Sequence, residues 1–159
     1  ASSVWAYAKV KHAAPQVFQA VGEEMSRRAG ELAPQALAAV VASFAKAGHS
    51  FEAVRDAVAL QVTARSSQFE PRDLAVVVLA FTKTQHAAPE MFDAVTAELV
   101  RRPQCFPPQA LASVVWAYAK AGHASQEAFD TVAREGVRGA HTFQARDLAT
   151  TACAFAKAG

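Results

Sequence analysis

The sequence predicts an all-α fold, an α-solenoid of stacked helix-turn-helix repeats, and three observations predict it. First, the stretch Pro108-Gln-Ala-Leu-Ala-Ser-Val-Val-Trp-Ala-Tyr-Ala-Lys-Ala-Gly-His123 recurs from one end of the chain to the other. Aligned on its lysine it falls at Lys9, Lys46, Lys83, Lys120 and Lys157, a period of 37 residues with no insertion or deletion. Self-similarity at such a period is the signature of a repeat architecture, so function is to be read per repeat. Second, each period holds two segments whose apolar residues return at helical spacing. Third, proline opens these segments and glycine or a basic residue closes them, as helix termini prefer.

Residues Ala1 to Lys11 read as the back of a first helix, after which His12-Ala-Ala-Pro15 breaks and restarts the chain. The next helix, Pro15 to about Arg28, carries Phe18, Val21, Gly22 and Met25 as one stripe and ends in Arg27-Arg28-Ala29-Gly30. Leu32-Ala-Pro34 opens the following helix, and the same junction returns as Phe69-Glu-Pro71, Phe106-Pro-Pro108 and Phe143-Gln-Ala145. With the proline at N1, the aromatic or leucine falls at N′ and Leu37, Leu74, Leu111 or Leu148 at N4, which is hydrophobic-staple spacing. Asp73 and Asp147 fall at N3, where a carboxylate meets the positive end of the helix. Each period is thus a helix A of about 14 residues and a helix B of about 12 to 14, each roughly 20 Å long.

Helix B returns as Pro89 to Arg102 with Phe92, Val95, Thr96 and Leu99 inward; in the second repeat Arg55 replaces the phenylalanine, and Phe51 lies one turn earlier to fill the gap. In the fourth, Gly136 and Gly139 predict an early end to helix B, at roughly 1 kcal/mol per interior glycine. The expected organisation is one solenoid segment, 1–159, divided as a partial repeat 1–31, repeats 32–68, 69–105 and 106–142, and a partial repeat 143–159. Because Ala1 aligns with Ala38 and Gly159 with Gly48, and neither end carries a polar capping repeat, a segment of a longer array is expected.

Composition narrows the classes. With 52% apolar and 19% charged residues the chain reads as folded, and no apolar run approaches the roughly 18 residues of a membrane span. A net charge of +2 permits an anionic partner without demanding one, so the distribution of charge decides. Cys105 and Cys153 sit in different repeats at different repeat positions, which speaks against a disulfide framework or a metal clip. No targeting segment is visible.

On helix A, Leu111, Val115, Tyr118 and Ala119 share the core side, as do Leu74, Val78, Phe81 and Thr82. Gln109, Ser113, Trp116 and Lys120 share the opposite side. Elsewhere that second stripe reads Gln35, Ala39, Ala42, Lys46; Arg72, Val76, Leu79, Lys83; Arg146, Thr150, Cys153, Lys157; and, in the first partial copy, Ser2, Trp5, Lys9. A constant cation beside variable neighbours suits a modular reader of single-stranded nucleic acid, whose phosphates repeat and whose bases differ. Trp5 and Trp116 are candidates to stack a base; Gln35, Arg72, Gln109, Arg146, Ser113 and Thr150 are candidates to meet base edges or phosphates; and the five lysines are candidates for phosphates.

Plainer readings stand beside these. Lysine in a last helical turn is favoured by the dipole alone, and the tryptophans equally fit packing between repeats. His12, His49, His86 and His123 lie where each helix A ends and suit a turn or cap; one histidine per repeat does not converge on a metal. Arg27-Arg28 and Arg101-Arg102 suit dipole partners at the ends of helix B, with Arg28 and Arg102 also placed to widen a basic face. No Gly-rich phosphate loop, His-Glu-x-x-His, CxxC pair or nucleophile turn is present, and an active site needs unlike groups converging once, so no enzyme, cofactor or metal is expected.

The unit at Phe106 to His123, followed by the pattern seen at Ala88 to Val95, resembles the heptatricopeptide and octotricopeptide repeat families of algae and related protists over the whole chain. The period of 37 matches the heptatricopeptide form, and the octotricopeptide Pro-Pro-Pro-Glu signature is absent. The resemblance implies an organellar RNA-binding α-solenoid of mitochondrion or chloroplast, acting in RNA processing, translation or ribosome assembly. Its implied partners are single-stranded or ribosomal RNA and proteins of a large organellar assembly, without membrane or small-molecule substrate. The alternative is a protein-protein scaffold within such an assembly.

Overall fold

In the computed structural model, residues 15–48, 52–84, 88–123 and 125–159 are described. Their regular elements are α1 (Pro15–Arg27), α2 (Pro34–Ala47), α3 (Glu52–Arg65), α4 (Pro71–Thr84), α5 (Pro89–Arg101), α6 (Pro108–Ala121), α7 (Gln126–Gly139) and α8 (Ala145–Ala158), with a short 3₁₀ turn between each B helix and the next A helix. The all-α solenoid read from the 37-residue period is what forms. Helices A (α2, α4, α6, α8) pack side by side in one layer, and helices B (α1, α3, α5, α7) form the other, the A layer being the more extensively packed.

The sequence explains each boundary. Pro34, Pro71 and Pro108 stand at N1 of their helices, where proline's missing N–H is no loss. Phe69 and Phe106, two residues before Pro71 and Pro108, are buried with Leu74 and Leu111, as staple spacing requires; Phe143 before Ala145 is buried too, but its expected partner Leu148 is 45% exposed, so the last staple does not form. At the other end Gly48 and Gly122 take φ of 74° and 70°, the left-handed conformation that glycine adopts without a Cβ penalty. The N–H groups of Gly122 and His123 both return to the Tyr118 carbonyl, closing α6 in the manner of a Schellman turn.

Leu37, Leu74 and Leu111, with Val41, Val78 and Val115, are all but fully buried between the layers, each stabilising the stack by about 1.5 to 3 kcal/mol. Beside them Ala38, Ala75 and Ala112 are buried between neighbouring A helices. On α5 the expected inward set, Phe92, Val95, Thr96 and Leu99, is buried. Tyr118 occupies the ring position held elsewhere by Phe44, Phe81 and Phe155 and is wholly buried, which raises its hydroxyl well above the ordinary tyrosine value. The hydroxyl donates to the Phe92 carbonyl at 2.7 Å and accepts from Thr96 at 3.2 Å. Thr96 aligns with Gly22, Ala59 and Ala133, so among the described repeats the polar partner stands on the preceding helix B only where the next ring carries a hydroxyl.

Three expectations change. Helix α7 runs to Gly139 and is not shortened by Gly136; burial of Phe129, Thr131 and Val132 outweighs one interior glycine. Arg55 is itself buried in the phenylalanine position, its guanidinium reaching the Thr84 carbonyl at 3.5 Å and Glu52 at 3.9 Å; Phe51 lies outside the described residues. Arg102 does not widen a basic face. It donates through one terminal nitrogen to the carbonyls of Ser67 (3.5 Å) and Phe69 (2.5 Å), which belong to the turn joining the preceding repeat to its own. Arg65, 37 residues earlier, reaches back in the same way to Ala29 (3.1 Å) and Leu32 (2.8 Å).

This arginine clamp satisfies carbonyls that a helix end and turn leave exposed to one another. The two clamps differ in their support. Glu98 accepts from Arg102 Nε at 2.9 Å and from Arg101 at 2.5 Å, and Ser66 donates to it at 3.3 Å. At the corresponding place beside Arg65 stands Gln61, and Arg65 Nε is buried without a hydrogen-bond partner. Burial pushes the Glu98 carboxyl up, but hydrogen bonds and charge from Arg101 and Arg102 outweigh it and the net shift is downward.

Arg102→Ala should lower the unfolding free energy by about 1.5 to 3 kcal/mol, the range for charge-assisted hydrogen bonds, whereas Gln61→Glu should raise the urea midpoint by giving Arg65 Nε its acceptor. Glu98, with a depressed folded pKa, contributes stability that is present above the ordinary value of 4.5 and lost as pH falls through the lower folded value. The stability gap between the native chain and Glu98→Gln, measured by urea unfolding across pH, should therefore be widest near neutrality and close as the pH falls below 4.5.

Candidate nucleic-acid interface

The stacking that buries one side of each A helix leaves the opposite side as a continuous surface, and charge divides with it. Helices A carry six basic residues, Lys46, Arg72, Lys83, Lys120, Arg146 and Lys157, against two acidic ones, Asp73 and Asp147. Helices B carry ten acidic residues against six basic. A net charge of +2 for the chain therefore conceals an electropositive layer and an electronegative one. Such a separation steers a polyanion to one side.

The described candidates all lie on the A layer. Lys46, Lys83, Lys120 and Lys157 are exposed in the last turns of α2, α4, α6 and α8, and Gln35, Arg72, Gln109 and Arg146 are exposed in the first turns. Neighbouring A helices sit about 8 to 10 Å apart, so the lysines form a ladder with about that spacing. Trp5 and Lys9 fall outside the described residues, as do His12, His49 and His86.

Five candidates meet. Gln109, Ser113 and Trp116 of α6, with Arg146 and Thr150 of α8, line one groove of about 440 Å³ that also reaches Leu79 of α4. Trp116 packs against the core, as the plainer reading expects, and also lines the groove. Lys157 Nζ lies 5.9 Å from the Trp116 ring centroid, near the outer limit for a cation–π contact. Thr150 donates to the Arg146 carbonyl at 2.8 Å, leaving its oxygen as an acceptor.

Gln35 and Arg72 belong to a different recess, which they share with Glu70, Asp73 and Gln104. Burial and then Glu70 raise the Asp73 carboxyl above its ordinary value; the carboxylates make this recess less hospitable to a phosphate. The two free cysteines are exposed. His123 behaves as a turn residue: its ring stacks on Phe92 with centroids 5.1 Å apart, meets Tyr118 edge-on, and places Nε2 3.1 Å from Asp93.

Candidate selection by stripe missed Asp147, Ala112 and Ala149, which also line the Trp116 groove. They sit on the flank of the helix rather than on its outermost row. The signal available was the close A-to-A approach, which turns a flank into a groove wall. Among the described residues no set of three or more His, Cys, Asp or Glu side chains is placed to hold a metal ion, and no helix is long and apolar enough to cross a membrane.

Fold and surface together define a helical-repeat solenoid with one basic, grooved layer. Over residues 2–159 the chain matches the family described as RNA-editing substrate-binding complex 6 protein, and it belongs to that family. That family carries a different description from the heptatricopeptide and octotricopeptide repeats that the unit resembles; helical structure and an RNA-related setting are common to both readings. No curated protein matches the chain.

Proposed function

We propose that this chain is an RNA-binding component of an RNA-editing substrate-binding complex, holding single-stranded RNA along the outer face of its A helices and acting by binding rather than catalysis. The observation that carries this is the division of charge between the layers, six basic residues against two acidic on the A helices and the reverse balance on the B helices. Family membership supports RNA and protein partners together. The compartment that fits is the mitochondrion, where RNA-editing complexes of this kind work in kinetoplastids; no finding points to the chloroplast or to ribosomal RNA.

A row of cations about 9 Å apart is spaced near one Debye length at physiological salt, so each lysine acts almost independently on a flexible strand. The lysines then supply sequence-independent affinity, and the variable residues between them supply preference. A scaffold role is compatible with the same molecule, because the B layer exposes Leu60 (65%) and Val100 (41%) amid carboxylates that repel RNA. A protein partner belongs there, and RNA on the other side.

Replacing Lys46, Lys83 and Lys120 together by Gln should weaken binding to a single-stranded oligonucleotide and make the slope of log K against log salt shallower by about 2, at roughly 0.7 per phosphate contact. Fluorescence anisotropy across a salt series measures it. An unchanged slope, with RNA still bound, would place the RNA elsewhere; absence of RNA binding with capture of a protein partner would favour the scaffold reading.

A further inference from the structure

We infer that the groove between α6 and α8 is a selective pocket for one unstacked guanine base, the single position along the described face where RNA is read rather than merely held. This rests on the RNA-binding reading above and sharpens it. Four observations lead to it.

The first is the aromatic platform. At the repeat position of Trp116 the other described A helices carry Ala42, Leu79 and Cys153, so a base finds a large π-face at this position and nowhere equivalent among the described residues. Trp116 is held by core packing along one part of the ring and open to the groove along the other. That anchorage means little side-chain entropy remains to be lost when a base stacks on it.

The second is the chemistry of the wall. Asp147 and Arg146 are consecutive residues of α8 that both line the groove, offering an acceptor-only carboxylate beside a donor-only guanidinium. Guanine presents two adjacent N–H donors and a carbonyl oxygen along one edge. A carboxylate takes the donors and a guanidinium takes the oxygen. Adenine lacks that oxygen, and uracil lacks the exocyclic amine. Gln109 and Ser113, across the groove on α6, add groups able to donate and accept.

The third is the burial of Asp147, which is 8% exposed at the wall of an open groove, so the base edge hydrogen-bonded to it gives up water there, and an unmatched edge loses its solvent partners without replacement. Discrimination against the wrong base therefore exceeds what the hydrogen bonds alone supply.

The fourth is Lys157, exposed and 5.9 Å from the Trp116 centroid. A contact this long at an exposed site is worth only about 0.5 to 1 kcal/mol. The ammonium is therefore easily moved off the ring as a base enters, which frees it for the phosphate of the nucleotide whose base is stacked.

The test uses the whole chain and oligouridine twelve residues long with one central position varied: guanosine, adenosine, uridine or an abasic site. The central guanosine should tighten binding about tenfold over uridine, and quench the fluorescence of Trp116, one of two tryptophans in the sequence; stacking and edge contacts of this kind lie in the range of about 5- to 100-fold. Trp116→Leu, which places at α6 the residue α4 already accommodates at Leu79, should abolish the quenching and most of the preference. Asp147→Asn should remove the preference for guanosine over adenosine while leaving quenching in place, and circular dichroism melting checks that each variant is folded.

Equal affinity for all four oligonucleotides, or a guanosine preference that survives both substitutions, overturns the pocket. If binding is then still weakened by the triple lysine replacement, the RNA-binding reading stands without it. If the native chain binds none of the oligonucleotides, both fall.

Discussion

Everything in this molecule depends on the fact that one helical pair cannot bury its own apolar face. Leu111, Val115 and Tyr118 are fully shielded because a B helix covers them and A helices lie on either side of α6. The A layer closes through small residues, Ala38, Ala75 and Ala112, which let backbones approach. Thr82 shows how near they come: its hydroxyl donates to the Val78 carbonyl within its own helix and lies 3.3 Å from the Ala117 carbonyl of the next A helix. Once those flanks are committed to neighbours and one side to the B layer, a single side of each A helix remains for anything else.

The junction between repeats is secured by a different kind of interaction. Arg65 and Arg102 each reach from the end of a B helix to carbonyls of the turn that joins the preceding repeat to their own. The apolar stack alone tolerates sliding, since alanine and valine rows offer little register. Directional hydrogen bonds between a charged donor and fixed backbone carbonyls supply that register. The fourth repeat has Gly139 at this place, so the α7 junction relies on packing and on the Glu135–Arg138 pair within its own helix.

The fold was legible almost throughout because its information is local and repeated: a proline at N1, a staple, a glycine at C′ and an apolar stripe, each stated several times over. What escaped was interaction between repeats. Arg102 reads as a helix-end cation because a dipole argument needs one helix, whereas the clamp needs the neighbouring turn; the recurrence of arginine at 65 and 102 is the available sign, while Arg28 pairs locally with Glu24 and Glu31. Similarly, Gln109 and Arg146 were recognisable as exposed first-turn residues, but not that they face each other across one groove while Gln35 and Arg72 share another with two carboxylates. Gly136 was over-weighted, since a local propensity of about 1 kcal/mol was set against a tertiary term that the sequence does not display.

The position of the lysine row constrains how the surface works. Each lysine stands in the last turn of an A helix, where the macrodipole is negative, and near the start of the B helices, which carry Glu90 and Glu127 in their first turns and Asp93 and Asp130 just beyond. Lys157 and Asp130 border one recess at that edge. Neighbouring carboxylates and helix C-termini lower the potential that the lysines present, so the ladder attracts a polyanion only moderately and lets it slide. Arg146, by contrast, stands in the first turn of α8, where the dipole adds to its charge, and it borders the Trp116 groove. On the RNA-binding reading proposed above, attraction along the row would be weak and uniform, and Arg146, with Asp147 beside it, places paired donor and acceptor groups at the aromatic platform. A strand drawn to the A layer would then be held loosely at each repeat and stop where the variable residues fit it.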